Sequence, residues 1–525
     1  MKKTTLILSL ATMMCAGTAK ADNYFFSVNG AGDQDGSTWE NAAPSEYLGG
    51  LLVDLKPGDA VYLQGGQYLP DRNTGLWEIP QGIILKGGYA PDMKGTETAI
   101  TYPTQYETIF TADIDGDGVG DNGGKAFITI KNEMTEEWKG DKTYADYQKT
   151  TIAGITIRDS KYTSTSYYHG GAVCAMHATL EFDHVNFINN YIACPGGNVL
   201  LQGCYAEFHD CIFRDNKGQS SGVALLARQH NGGSGEGETR VGVTILDRCE
   251  FVNNTAEHPE LSANKDGMIA ARYGGALALS DWGGTMYINN TTVTGSHINV
   301  AGGMGRFGTG TTIYMSNNTF FDCTCALDSR TQGHIISCGS KTKVYTVNTI
   351  SVNKTDGLEE PMETNDIQDS QCTLDTRGYN VWGSVRNNSG TPFADTDNVN
   401  KDNTMAVVFG TNAPETVDGR YVIAPLESFR TVPVADLKAA AEAWQLPACI
   451  DLTVDQTGKI RSATTVPGAY DSKATSGISD VAVPAVLNVS DDVYNLQGVR
   501  VASRADMNNL PAGLYICGGK KYVVK

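Results

Sequence analysis

Short apolar–polar alternations run through the middle of this chain, and each closes on Asn or Asp. The clearest is Phe182-Asp183-His184-Val185-Asn186-Phe187-Ile188-Asn189-Asn190; Phe208 to Asn216 and Leu246 to Asn254 follow the same grammar. Weaker copies centre on Ile157, Val293, Phe320 and Ile350. With Phe187, Phe213 and Phe251 these make seven centres, spaced 30, 26, 38, 42, 27 and 30 residues apart. Alternation with a period of two predicts strands that send Val185, Phe187 and their equivalents to one face. A single short strand cannot bury that face, but stacked coils can, so the repeat predicts a solenoid. Asn at the turns fits, because it tolerates left-handed backbone angles and hydrogen-bonds locally. Val434 to Trp444 is the one sustained helical period; nothing before residue 430 shows one. The expectation is an all-β, right-handed parallel β-helix with tandem Asn residues laddered along the stack.

Glycine pairs fall between these segments: Gly170-Gly171-Ala172-Val173, Gly274-Gly275-Ala276-Leu277 and a partial copy at Gly302-Gly303-Met304. Residues this small allow neighbouring coils to approach closely. Alternating in this order, the two signatures resemble the repeats of polymorphic outer-membrane proteins over roughly residues 150–350. Near the start, Val28-Asn29-Gly30-Ala31-Gly32-Asp33, Gly36-Ser37-Thr38-Trp39, Pro57-Gly58-Asp59-Ala60-Val61-Tyr62-Leu63 and Gly66-Gln67-Tyr68 resemble the opening of secreted pectin-lyase-like β-helices. That resemblance implies a short helix before Pro57 that caps the open end of the stack against pairing with other chains. Gly378 to Gly383, Asp455-Gln456-Thr457-Gly458-Lys459-Ile460-Arg461 and Gly468-Ala469-Tyr470 resemble the closing tract of large bacterial surface β-helices.

The ends carry address-like segments. Lys2 and Lys3, the apolar run Leu6–Ala16 and Ala19-Lys20-Ala21 have the layout of a cleaved secretory leader over residues 1–21. No later run is apolar for long enough to span a bilayer. The expected domains are then the β-helix at 22–471, a small-residue linker at 472–489 and a small β unit at 490–525. In that last unit, Val493–Asn495, Gly513–Cys517 and Lys521–Val524 read as antiparallel strands. Its motif order is similar to the C-terminal sorting domain of the Bacteroidetes type IX secretion system. The resemblance implies that the secretion machinery is a partner, and that the protein ends at the cell surface or outside.

Net charge changes the picture of partners. At −19, and about −22 without the three lysines of the leader, the chain repels nucleic acid and anionic lipid. It also repels polyanionic glycans unless a cation intervenes. Eleven cysteines follow the leader with no paired framework. Cys174, Cys211 and Cys249 sit in strand-like runs and read as small core residues, while Cys323 and Cys325 are placed to pair with neighbours on adjacent coils.

One local motif carries chemistry. Asp113, Asp115, Asp117 and Asp121 alternate with glycines in a loop able to wrap Ca²⁺ with hard oxygen ligands. Gly124 stands where an EF-hand has its bidentate Glu, so a thrombospondin-type or dockerin-like loop is the nearer likeness. The eight histidines show no HExxH and no pair at metal spacing, which argues against a zinc enzyme. A lyase on such a scaffold needs a Lys or Arg base beside a group that neutralises the uronate carboxylate. Arg214, Arg228, Arg248, Arg272 and Arg306, with Asp215, Asp247 and Asp281, are the central-coil candidates. Tyr162, Tyr167, Tyr168, His169 and Trp282 could stack on sugar rings. With no catalytic signature, the leading expectation is an adhesin-like binder of glycan or host ligands. The competing one is a polysaccharide lyase or glycoside hydrolase. A groove uniting Lys or Arg with several carboxylates favours the enzyme, and one lined by Asn, Thr and aromatics favours binding.

Overall fold

The computed structural model describes residues 21–524 apart from 71–73, 97–104, 132–147, 165–168, 195, 220–221, 232–238, 241, 258–273, 280–282, 326–332, 355–364, 368–369, 417–418, 477–491, 495–499, 504–509, 512 and 518–519. The leader expected at residues 1–21 lies outside them except for Ala21. The described chain falls into two compact units, one running to Ala474 and one starting at Thr475.

In the first unit successive strands visit three sheets in turn. Sheet 1 has twelve strands, sheet 2 eleven and sheet 3 ten, and every pairing within them is parallel. A short side sheet of four strands joins sheet 2 to sheet 3 on the middle coils. Crossovers between parallel strands of one sheet are right-handed. The unit is therefore a right-handed parallel β-helix, as the repeat predicts.

Register follows the sequence repeat. Along sheet 2, Ile157, Phe187, Phe213, Phe251, Val293 and Phe320 are direct partners on consecutive coils. All are fully buried, and the Phe187, Phe213 and Phe251 rings stack at 4.6 and 4.3 Å. The seventh centre is off by one. Ser351, not Ile350, continues this column. Because strand side chains alternate faces, Ile350 points outward, to a second cluster with Phe321, Val352 and Val408.

Two left-handed bends recur on the coils. Between sheets 1 and 2 the bend residue is His184, Asp210, Arg248, Asn290, Asn317, Asn348 and then Tyr379; after sheet 2 it is Asp159, Asn189, Asp215, Asn253, Gly295 and Asp322. Asn and Asp dominate because their short side chains suit this conformation. His184, Arg248 and Tyr379 adopt it because the coils above and below hold them there. The residue after each second bend faces inward as a ladder rung. Asn190 donates to Asn216 Oδ1 at 3.1 Å, and Asn216 to Asn254 Oδ1 at 2.8 Å. The same side chains cap backbone carbonyls of the previous coil, as Asn216 does with Phe187 at 2.9 Å. Cys211 and Cys249 occupy the equivalent place after the first bend. Their thiols reach the carbonyls of Phe182 and Phe208 at 3.3 and 3.4 Å, as Asn318 reaches that of Ile288.

The Gly pairs allow the closest backbone approach. A Cβ on Gly275 would lie 2.2 Å from the Gly303 carbonyl oxygen, and Gly274 has a φ of +71°. At the first coil Leu48–Leu52 forms the expected short helix, with Leu48, Leu51 and Leu52 buried in the core beneath the opening strands. The ten described cysteines of the first unit are all free thiols. The pairing expected for Cys323 and Cys325 is absent, because each is buried in its own coil and bonded to backbone carbonyls.

Residues 400–471 do not continue the coil but run back over its outside. The helix Val434–Trp444 lies where it was expected. It packs Leu437 and Trp444 on the outward face of sheet 1, over the stacked Tyr287, Tyr314 and Tyr345. A five-residue helix without a sequence signal, Met405–Phe409, covers sheet 2. The DQxGxxR and GAY tracts then clamp the corner between those sheets. Arg461, 3% exposed, donates to Asn290 Oδ1 and to the carbonyls of Gly468 and Ala469 at 2.8–3.1 Å. Gln456 accepts from Thr292, Ala469 N–H donates to Thr319, and Asn317 donates to the Leu452 carbonyl. The second unit holds a four-stranded antiparallel sheet in the order Arg500–Ser503, Asp492–Tyr494, Gly513–Cys517, Lys520–Val524, one strand more than the pattern suggested.

Two predictions follow from the ladder and the clamp. Asn216→Leu strands polar partners on both neighbouring rungs and lowers stability by roughly 2–4 kcal/mol, whereas Lys343→Ala, at an exposed strand position, changes it by under about 0.5 kcal/mol. Denaturant melts of the two variants measure the contrast. Arg461→Met leaves buried acceptors unpaired and removes the buried cation facing Asp455, although Asp471 keeps its ion pair with Arg430, at a cost of roughly 3–5 kcal/mol. Limited proteolysis should then cut within residues 400–471 well before the coils.

Candidate functional site

The side sheet builds a groove. Its inward residues Tyr162, Ile192 and Ala256 are buried. Alternation then turns Lys161, Tyr191, Lys217 and Thr255 outward, in register on four consecutive coils. At roughly 4.8 Å per coil, the two lysine backbones stand about 10 Å apart with Tyr191 between them. On the coil before Lys161 the strand is replaced by the acidic loop 113–121, which comes back beside Lys161 at Gly120. Loop and sheet enclose an open cavity of about 570 Å³ that includes Gly118, Lys161, Tyr191, Lys217, Gln219 and Glu257. Glu257 accepts hydrogen bonds from the Tyr191 hydroxyl at 2.9 Å and from Gln219. Burial, and then Glu257, push the Tyr191 phenol well up, so it stays a neutral donor. Among the described residues neither lysine is in an ion pair, whereas Lys149 and Lys354 are.

The acidic loop is organised by its own backbone. Asp113 accepts the N–H groups of Gly116, Asp117 and Gly118 at 2.8–3.1 Å, and Asp121 accepts that of Ile114 at 2.7 Å. One carboxylate oxygen each from Asp113, Asp115 and Asp121 lie within 4.8 Å of one another. Asp117 is outside that trio and caps Val119 N–H instead. Three hard oxygen donors with lone pairs remaining fit a Ca²⁺ ion, though fewer than the six to eight oxygens it prefers, so water or substrate would complete the shell.

A second polar cluster lies on the outward face of sheet 1, beside the returning chain at Cys449. Lys149 meets Glu207 at 2.8 Å and Glu181 at 3.8 Å. His209 lies between Glu207 (3.5 Å) and the fully buried Asp247 (3.7 Å). Burial works against the His209 charge, but hydrogen bonds to Asp247 and Glu207 outweigh it and hold the imidazole up at about 10. Burial likewise opposes ionisation of Glu207, and His209, Lys149 and Tyr205 overcome it, to about 2. Arg248 grips Asp210 through both oxygens and also contacts Asp247.

The arginines singled out from the sequence are not gathered in one site. Arg214 joins Arg420 on the buried Glu250, which anchors the returning chain to sheet 2. Arg228 and Arg306 lie on sheet 3, and Arg306 donates to Ser337. Asp215 accepts from Asn253, and Asp247 serves His209 and Arg248. Tyr162 is core, stacked on His169 at 5.5 Å. Tyr167, Tyr168, Arg272, Asp281 and Trp282 lie outside the described residues. The sequence reading missed Lys161 and Lys217. Their signal was a fixed offset: 161, 191, 217 and 255 each fall four residues past a repeat centre.

Fold and groove together define a parallel β-helix with a corner groove that unites two lysines, Lys161 and Lys217, with two carboxylates, Asp159 and Glu257. Neither a family model nor a curated protein sequence matches this chain. Among solved structures it is similar to pectate lyase Pel9A, at 11% identity and a TM-score of 0.38 over 87% of this chain and 97% of that one. It is similar at the same TM-score to a rhamnogalacturonan lyase, with 12% identity over 87% of this chain and 97% of that one. XylC in complex with xylose also matches, with 10% identity and a TM-score of 0.38 over 80% of this chain and 65% of that one. Likeness at this level has no bearing on what the groove does. No described helix is long and apolar enough to cross a membrane.

Proposed function

We propose that this is an exported protein that cleaves an acidic polysaccharide by calcium-assisted β-elimination in the corner groove. The observation that carries the reading is the Lys161–Tyr191–Lys217 column beside the acidic loop, two cationic side chains without a carboxylate ion-pair partner among the described residues, on a chain of net charge −19. Asp113, Asp115 and Asp121 would hold Ca²⁺ there, and the ion supplies the charge that neutralises a uronate carboxylate and acidifies its C5 proton. Lys161, next to the loop, gives its own proton to solvent as the substrate docks and then takes the C5 proton. The C5–H electrons form the C4–C5 double bond, and the C4–O bond breaks towards the leaving sugar, whose oxygen is protonated from solvent. Lys217 holds the carboxylate of a neighbouring uronate, and Tyr191 packs against a ring. The leader and the terminal β unit support the further proposal of export to the cell surface by the type IX route.

A non-catalytic, adhesin-like reading is favoured by the Tyr191–Gln219–Glu257 hydrogen-bond network, which suits sugar hydroxyls as well as chemistry. The test is a panel of uronate polysaccharides with and without calcium, following binding and the ultraviolet absorbance of unsaturated uronate ends. Product is expected. Lys161→Ala should lower kcat by at least about 10²-fold, Lys217→Ala should mainly raise KM, and chelation should abolish turnover. Binding without product would replace the lyase reading with the adhesin-like one, and neither binding nor product would overturn both.

A further inference from the structure

Nine of the ten described cysteines of the first unit are buried within the coils; the tenth, Cys449, is exposed. It follows the helix Val434–Trp444 on the returning chain, at the polar cluster of sheet 1. There its Sγ, His209 Nε2 or Nδ1 and a Glu207 oxygen lie within 4.8 Å of one another. Thiolate, imidazole and carboxylate are the three donors that zinc-class ions take from proteins. The 3.5 Å from His209 Nε2 to Glu207 Oε2 is close to the ~3.3 Å edge of a tetrahedron with zinc-length bonds.

From this juxtaposition we propose that Glu207, His209 and Cys449 form a binding site for a zinc-class divalent ion, with a fourth position open to water. Three features around the trio fit a metal centre. The buried Asp247 carboxylate faces His209 Nδ1 at 3.7 Å, the outer partner that orients a metal-binding imidazole and leaves Nε2 to the ion. The Tyr205 hydroxyl donates to Glu207 Oε1 and Lys149 to Oε2, each at 2.8 Å, and together they fix that carboxylate with Oε2 on the His209 side, where its second lone pair faces the ion. The carboxylate and thiolate also neutralise the ion's charge, while Asp247 has Arg248 as its own partner. Binding releases the Cys449 thiol proton and the His209 Nε2 proton to solvent. In the adjacent Asp183–His184–Asp210 trio Arg248 occupies both oxygens of Asp210, whereas Lys149 occupies only one of Glu207. The sequence shows no metal spacing here because the ligands are 240 residues apart; only the fold-back of the returning chain brings them together. The bound ion would link that chain to the strand Tyr205–His209.

The test uses the full reduced chain loaded with Co²⁺ as an optical stand-in, with Zn²⁺ competition. One tightly held ion per chain is expected, with an intense thiolate-to-cobalt charge-transfer band that Zn²⁺ bleaches. Cys449→Ser, at an exposed position that leaves the fold intact, should abolish the band and weaken binding by at least about 10²-fold, and Asp247→Asn should keep the band while weakening affinity about 10–100-fold. Metal should raise the melting temperature of the unaltered chain but not of Cys449→Ser. Absence of the band, or its persistence in Cys449→Ser, overturns the proposal. Cobalt held by the acidic loop alone gives no thiolate band, so this outcome is independent of the polysaccharide reading.

Discussion

Every part of this β-helix depends on one geometric constraint: each coil lies about 4.8 Å above the last, so a side chain at a given register sits directly on its equivalent. Like residues profit from that proximity when they are aromatic or amide. The Phe187–Phe213–Phe251 column and the Asn190–Asn216–Asn254 ladder are two outcomes of the same stacking. Unlike residues must satisfy it in another way. Cys211 and Cys249 hold an Asn-like position by bonding a carbonyl with sulfur, and Arg248 takes a left-handed bend because Asp210 on the adjoining coil grips its guanidinium. The constraint also builds the two polar sites, since single outward residues from successive coils line up as columns: Lys161, Tyr191 and Lys217 on one corner, Glu181 and Glu207 on sheet 1.

Local alternation and turn chemistry made the fold legible in the sequence. The Phe-x-Asn-Asn segments, the Gly pairs and the helical period at Val434–Trp444 each encode structure within a few residues. Where the reading slipped, the competing physics was also local. Ile350 is a better hydrophobe than Ser351, so it was taken as the centre, yet it belongs to the outward face under Met405–Phe409. The sites were less legible, because they are made of register and fold-back. Nothing near Lys161 announces Lys217, and nothing near His209 announces Cys449. The acidic loop was visible because its carboxylates are sequence neighbours, and even there Asp117 turned to its own backbone.

The motifs near the end illustrate how a family-like signature can be physical without being catalytic. Gln456, Arg461, Gly468 and Ala469 touch the bends at Asn290 and Asn348 or the strands beside them and hold the returning chain against the coil corner, while Asp455 braces that chain from within. Gly468 is there because a Cβ would lie 2.6 Å from Thr319 Oγ1.

That clamp alters the statistics of the stack. A solenoid of nearest-neighbour coils behaves as a one-dimensional chain of units, which can melt from an end, coil by coil. Here, contacts between residues 135–171 positions apart in sequence tie the later coils to one strap. Opening any one of those coils then strains the strap that the others share. The later coils and the strap should form a single cooperative block, and the early coils, outside its reach, the part free to fray.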